Sequence, residues 1–163
     1  IIPDAIRAWI KNKPVVIRHP ESTRPWQHVL EPLSGYLLLG KLLYKKGKNF
    51  SGEAYNFGPS NMEDHSVKEV LNCIKKYWDN AGWLIEKHNT TGKESILLKL
   101  NCDKALSELG WYSVFSFEES MEMTASWYKS FYEDKNVNML EFSFNQIKIY
   151  EKKAKKIGLS WPK

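Results

Sequence analysis

Long apolar runs, cysteines and glycine-rich turns are what this sequence has little of. The longest apolar candidate, "GYLLLGKLLY" (residues 35–44), is broken by Lys41 and falls far short of the ~18 residues that suggest a membrane span. Two cysteines, Cys73 and Cys102, give neither a disulfide framework nor a metal spacing. A small reduced thiol is expected at Cys73, which fits a cytoplasmic location, and no signal peptide pattern is visible. Neither G-x-x-G-x-x-G nor G-x-G-x-x-G occurs, so no helix start is built to receive a cofactor pyrophosphate. The one Tyr-x-x-x-Lys spacing, Tyr44 to Lys48, is interrupted by Gly47 at a helix end and cannot hold the two side chains on one rigid face. His19, His65 and His88 lack ligand spacing, so no metal site is expected. These residues do not make a self-contained redox enzyme.

What is present is an ordinary globular composition with many aromatics. The chain has 163 residues, 42% hydrophobic and 26% charged, with seven tryptophans, enough for one domain with a core. The net charge of +5 comes mainly from the tail, "KIYEKKAKKIGLSWPK", which reads as a solvated helix face rather than a nucleic-acid patch. The sequence opens at Ile1 inside an apolar pattern, and the chain is expected to be a piece of a longer protein.

Strand and helix signals alternate. "IPDAIRAWIKNK" reads as a short helix with Pro3 in its first turn. "PVVIR" is a β-branched strand run, and an extended segment continues through Val29. "EPLSGYLLLGKLLYKKG" is a helix apolar nearly all round, with Gly47 as its stop, and must be covered on several sides. "GEAYNFGP" reads as a strand. "SVKEVLNCIKKYW" carries a capping box, Ser66 with Glu69, and "GWLIEKHN" is another short strand. "NCDKALSELGW" is a short helix capped by Asn101 and closed by Gly110. "SFEESMEMTASWYKSFYED" has a second capping box, Ser116 with Glu119, and "FSFNQIKIYEKKAKK" reads as a peripheral helix. The class is therefore α/β, with too few strands for a complete doubly wound sheet. Residues 1–150 are expected to form the main unit and 151–163 a basic tail.

The segment "TRPWQHV" (23–29) carries the chemistry. Arg24 offers a planar fork suited to phosphate, or is a surface arginine. Trp26, two residues on, shares its face if the segment is extended and can stack on a base or sugar, or is a core tryptophan. His28 continues that face, or is a structural histidine. Asn56 lies at an expected strand end, where α/β proteins hold ligands, or it stabilises the Gly-Pro turn. "NTT" at 89–91 matches a glycosylation sequon by chance.

The stretch "IIPDAIRAWIKNKPVVIRHPESTRPWQHVLEPLSGYLLL", followed in order by "AYNFGP", "LKLNCDKALSELGW" and "FSFEESMEMTASWY", resembles the second half of the nucleotide-sugar dehydratases and epimerases of the extended short-chain dehydrogenase/reductase family. The likeness runs from residue 1 to about residue 150, and the "PWQH" spelling favours the branch of 4,6-dehydratases that takes CDP-glucose. That resemblance implies a small substrate-binding domain, with strands and helices that complete a Rossmann-type sheet. It also implies a homo-oligomeric lyase of deoxysugar and O-antigen-type polysaccharide biosynthesis, and an N-terminal NAD-binding half outside this chain. Arg24 would bind the substrate pyrophosphate, and Trp26 would lie near the nucleotide. Val15 and Ile17 would line the base site, and His28 would belong to the same pocket. Asn56 would face the phosphates or ribose. Lys93, beside Glu94, stands where the family often has histidine or arginine, and Asn101 replaces a commoner aspartate.

In the family, a tyrosine base and NAD act on the sugar C4, water leaves across C5 and C6, and hydride returns to C6. The tyrosine, lysine, acid pair and glycine loop belong to the other half, so the resemblance implies no catalytic and no cofactor-binding residue in this chain. The chain alone is then inactive. The alternatives are another sugar-nucleotide dehydratase or epimerase, or a stand-alone, non-catalytic nucleotide-sugar-binding module. A nucleic-acid or membrane partner is not expected.

Overall fold

The computed structural model describes residues 1–59, 64–86 and 97–161. Helix α1 (Ile2–Trp9) has Pro3 in its first turn and an Asp4–Arg7 pair at 2.6 Å. It buries Ala5, Ile6 and Trp9, and the Trp9 indole donates to the Gly82 carbonyl at 2.7 Å. Strand β1 (Val15–Ile17) follows, then β2 (Thr23–Arg24), helix α2 (Leu30–Lys46), β3 (His65–Ser66), helix α3 (Val67–Ile74), β4 (Trp83–Ile85), a π-helical turn at Ala105–Leu109, and helices α4 (Phe117–Glu133) and α5 (Met139–Lys156).

Two small sheets form. β1 and β4 run parallel with Val15 opposite Trp83 and Ile17 opposite Ile85, and β2 and β3 run antiparallel with Arg24 opposite His65. The main core lies between α1, β1, α3 and α4, where Ile6, Val15, Ile17, Val70, Leu71, Ile74, Phe117 and Met121 meet. Both expected capping boxes are made: the side chains of Ser66 and Ser116 accept from the Glu69 and Glu119 N–H groups, and the glutamates accept in return. Gly110 closes the turn before Trp111 at φ 66°, a conformation that favours glycine. No helix among the described residues is long and apolar enough to cross a membrane.

Two expectations need correction. "GEAYNFGP" is irregular rather than a strand, because no described strand lies alongside to take its peptide groups. Its Phe57 packs instead against α2, so close to Gly35 that a Cβ there would sit 2.3 Å from the ring. α2 ends at Lys46 with Gly47 as its C-cap, as expected, and Gly47 keeps right-handed helical angles and starts a 3-10 turn. α5 is not peripheral, since Gln146, Tyr150 and Ala154 are buried. Those three recur every four residues, so they form one face, but glutamine and tyrosine weaken its apolar signal. The helix also runs unbroken across the boundary set at residue 150.

Candidate functional site

The segment that follows β2 is pinned at Trp26, Gln27 and His28. Its start is fixed by α3, whose first N–H groups at Val67 and Lys68 donate to the carbonyls of Ser22 (3.0 Å) and Pro20 (2.9 Å). Arg24 is half-buried, and its Nη1 donates to the Thr23 carbonyl at 2.7 Å. The regular strand ends there. The Trp26 N–H donates to the Arg24 carbonyl at 2.8 Å, a three-residue turn centred on Pro25 that breaks strand alternation. Trp26 therefore packs against the main core, with its indole N–H on the His65 carbonyl at 2.8 Å. Gln27 Nε2 donates to the Phe57 carbonyl at 2.9 Å.

His28 is 6% exposed. Its Nδ1 accepts from the Leu30 N–H at 3.3 Å, and its ring meets Phe115 edge-on at 5.8 Å. Burial lowers its pKa to about 4, so the ring is neutral at pH 7 and supplies no charge for an anion. Arg24, Trp26 and His28 were expected to share one extended face. Arg24 and Trp26 are both held at His65, and His28 by the Leu30 N–H and Phe115, because the turn centred on Pro25 redirects the chain.

The other expected site residues are more dispersed. The side chains of Val15 and Ile17 point into the core, while Val16 between them is exposed. In the parallel ladder, the Val15 N–H donates to Gly82 and the Ile17 carbonyl accepts from Glu86. The peptide groups of Val16 therefore point to the opposite edge of β1, which has no paired strand among the described residues. Asn56 is exposed and donates to the Asn101 carbonyl at 3.1 Å. Asn101 Oδ1 accepts from the Asp103 N–H at 3.0 Å and so caps the following turn. Lys93 and Glu94, and the "NTT" stretch, lie outside the described residues.

Sequence reasoning passed over one residue at this site. Glu31, in the first turn of α2, is 1% exposed. Its carboxylate accepts from the N–H groups of Val114 (3.0 Å) and Phe115 (2.8 Å) and from the Tyr150 hydroxyl (2.8 Å). Burial pushes its pKa up, and those hydrogen bonds pull it part of the way back. The sequence signal was a lone carboxylate at the start of a helix apolar on every face. A cleft of about 420 Å³ adjoins this joint, lined by Gln27, His28, Trp127, Tyr128, Ser143 and Ile147 among others.

No family model matches the chain. Among solved structures it is similar to the UDP-glucuronic acid 4-epimerase of Bacillus cereus, crystallised with UDP-glucuronic acid and NAD. The TM-score is 0.63 at 18% identity, over 78% of this chain and 39% of that one. The fold is thus α/β and matches the C-terminal part of an extended short-chain dehydrogenase/reductase. Among curated proteins it is 40% identical over 131 residues to the CDP-glucose 4,6-dehydratase of Salmonella typhimurium, a match covering 80% of this chain. The chain spans about a third (36%) of that relative's length. It belongs to the sugar-nucleotide dehydratase and epimerase family, as the counterpart of part of such an enzyme.

Proposed function

We propose that this chain is the substrate-binding portion of a CDP-glucose 4,6-dehydratase, a lyase that converts CDP-glucose to CDP-4-keto-6-deoxyglucose with loss of water. The observation that carries this is the 40% identity to the Salmonella enzyme. Arg24 meets the pyrophosphate as a bidentate donor, and Trp26 bounds the nucleotide side. The unpaired edge of β1 offers the Val16 N–H and C=O as a donor–acceptor pair to the edge of the base, with Val15 and Ile17 anchoring the strand from behind. Asn56 faces the phosphates or ribose. His28, neutral and buried, shapes the segment rather than supplying charge. Binding energy gathered at the nucleotide, remote from the reacting sugar carbons, holds those carbons in place.

NAD does not fit the residues of this chain, which has no glycine-rich turn at a helix start. The cofactor belongs to a partner half. The uncovered face of α2 suits such a partner. Leu33, Tyr36, Leu37, Leu43 and Tyr44 are exposed along it, and a contiguous apolar surface marks an interaction site. The test is to incubate purified chain with CDP-glucose and NAD, alone and with the cofactor-binding half of the relative. A 4-keto sugar is expected only in the combined sample. Turnover by the chain alone, or failure of the combined sample to bind CDP-glucose, overturns the assignment.

A further inference from the structure

We propose that the C-terminal helix α5 is part of the substrate-binding machinery: Tyr150, acting through buried Glu31, positions the His28 end of the segment that carries Arg24. This rests on the proposal that Arg24 grips a nucleoside diphosphate sugar, and it adds a positioning residue more than a hundred residues away in sequence.

The segment 24–28 is fixed at two ends by different parts of the molecule. At Arg24 it is held by β3, and at Trp26 by the His65 carbonyl. At His28 it is held by the Glu31 joint. The Glu31 N–H donates to the His28 carbonyl at 3.0 Å. The Glu31 carboxylate gathers the Val114 and Phe115 peptides and the Tyr150 hydroxyl. The Phe115 ring lies edge-on to both His28 (5.8 Å) and Tyr150 (5.1 Å). Tyr150 also pairs with the Ser34 hydroxyl at 2.9 Å, and Ser34 accepts from the Trp111 indole at 2.9 Å. α5 is itself fastened beside the joint by the Lys153–Glu119 pair and by Gln146 Nε2 on the Met123 carbonyl at 2.7 Å.

A buried carboxylate is costly unless donors surround it. A leucine would fill this place more cheaply, but it would fix no single orientation for the four segments that meet here. The joint ties α2, the 114–115 loop and α5 to one placement of His28, and Arg24 lies only four positions before His28. Removing the Tyr150 hydroxyl leaves Glu31 short of a donor and lets the His28 end move. Arg24 must then be ordered at the moment of binding, which weakens affinity.

The experiment uses the enzyme assembled from both halves. Tyr150→Phe and Glu31→Gln are compared with Leu159→Ala, which thins the apolar cluster beside the joint (Val114, Phe115, Tyr150 and Ala154) without removing any of its hydrogen bonds. CDP-glucose and NAD affinities are read by calorimetry, and hydrogen exchange is read over residues 23–29. Tyr150→Phe is expected to weaken CDP-glucose about three- to tenfold, to speed exchange at 23–29 and to leave NAD affinity alone. Leu159→Ala should change CDP-glucose affinity by less than about twofold despite its lower melting temperature. If Tyr150→Phe does not fold, the same criteria apply to Glu31→Gln, which keeps the side-chain volume. The proposal is overturned if affinity and exchange at 23–29 are unchanged in the joint variants, or if Leu159→Ala matches them. If the unmodified enzyme does not bind CDP-glucose, the proposed substrate is wrong, and the exchange comparison still decides whether α5 positions the segment.

Discussion

Helix α3 buries Val70, Leu71 and Ile74 completely, whereas α2, about twice as long, turns Leu33, Tyr36, Leu37, Leu43 and Tyr44 outward. Leu37 is 76% exposed and Tyr44 93%. The contrast is sharper than length, because the covered side of α2 is its more polar side: Glu31, Ser34 and Gly35 are buried there with Leu38. α3 is an amphipathic helix whose single apolar stripe meets the core. α2 is apolar on both sides, and the polar groups it does bury are satisfied by Trp111, Val114, Phe115 and Tyr150. The lesson is that a buried helix face need not be the apolar one, and that the leucines left outside are a surface suited to a partner.

The largest effect should come from the covered helix. Leu71→Ala should cost about 2–5 kcal/mol of stability, as deletion of a well-packed core side chain does. A comparable exposed change on α2, Leu37→Ser, should stay within about 0.5 kcal/mol. Denaturant titration of both variants checks this, and equal losses would mean that α2 is covered in solution.

A smaller effect is expected from the segment that leads into α2. His28 takes a proton only near pH 4 when folded, against an ordinary value of 6.5. Below pH 6.5 the unfolded ring binds a proton that the folded ring refuses. Stability contributed by the neutral ring is therefore intact above pH 6.5 and lost as pH falls toward 4, at up to about 1.4 kcal/mol per pH unit. His28→Gln should flatten that part of the pH–stability curve. An unchanged slope would mean that the ring is solvated.

Much of the local structure was legible because it rests on local chemistry. Ser66 with Glu69, Ser116 with Glu119, Pro3 in a first turn and Gly110 after a helical turn each fix a terminus through neighbours a few residues away. The α/β class followed from alternating element signals, and the family from the wording around "RPWQHV". What was hidden depended on distant contacts. Phe57 looks like a strand residue until one sees that its carbonyl is taken by Gln27 rather than by a neighbouring strand. The shared face of Arg24, Trp26 and His28 assumed extended chain, which the Trp26–Arg24 turn ends. Glu31 and Tyr150 stand 119 residues apart, and no spacing rule joins them.

The central claim is that "TRPWQHV" grips a nucleoside diphosphate sugar through Arg24. Calorimetric titration of CDP-glucose and NAD into the assembled enzyme tests it most directly, with Arg24→Ala and Arg24→Lys beside the unmodified protein. Loss of a charge-assisted contact costs about 1.5–3 kcal/mol, or roughly ten- to a hundredfold in affinity. Arg24→Ala should weaken CDP-glucose by that factor with NAD affinity unchanged, and Arg24→Lys should recover only part of it, since lysine lacks the bidentate fork. If Arg24→Ala leaves CDP-glucose affinity intact, or lowers NAD affinity equally, Arg24 serves the fold and the nucleotide lies elsewhere.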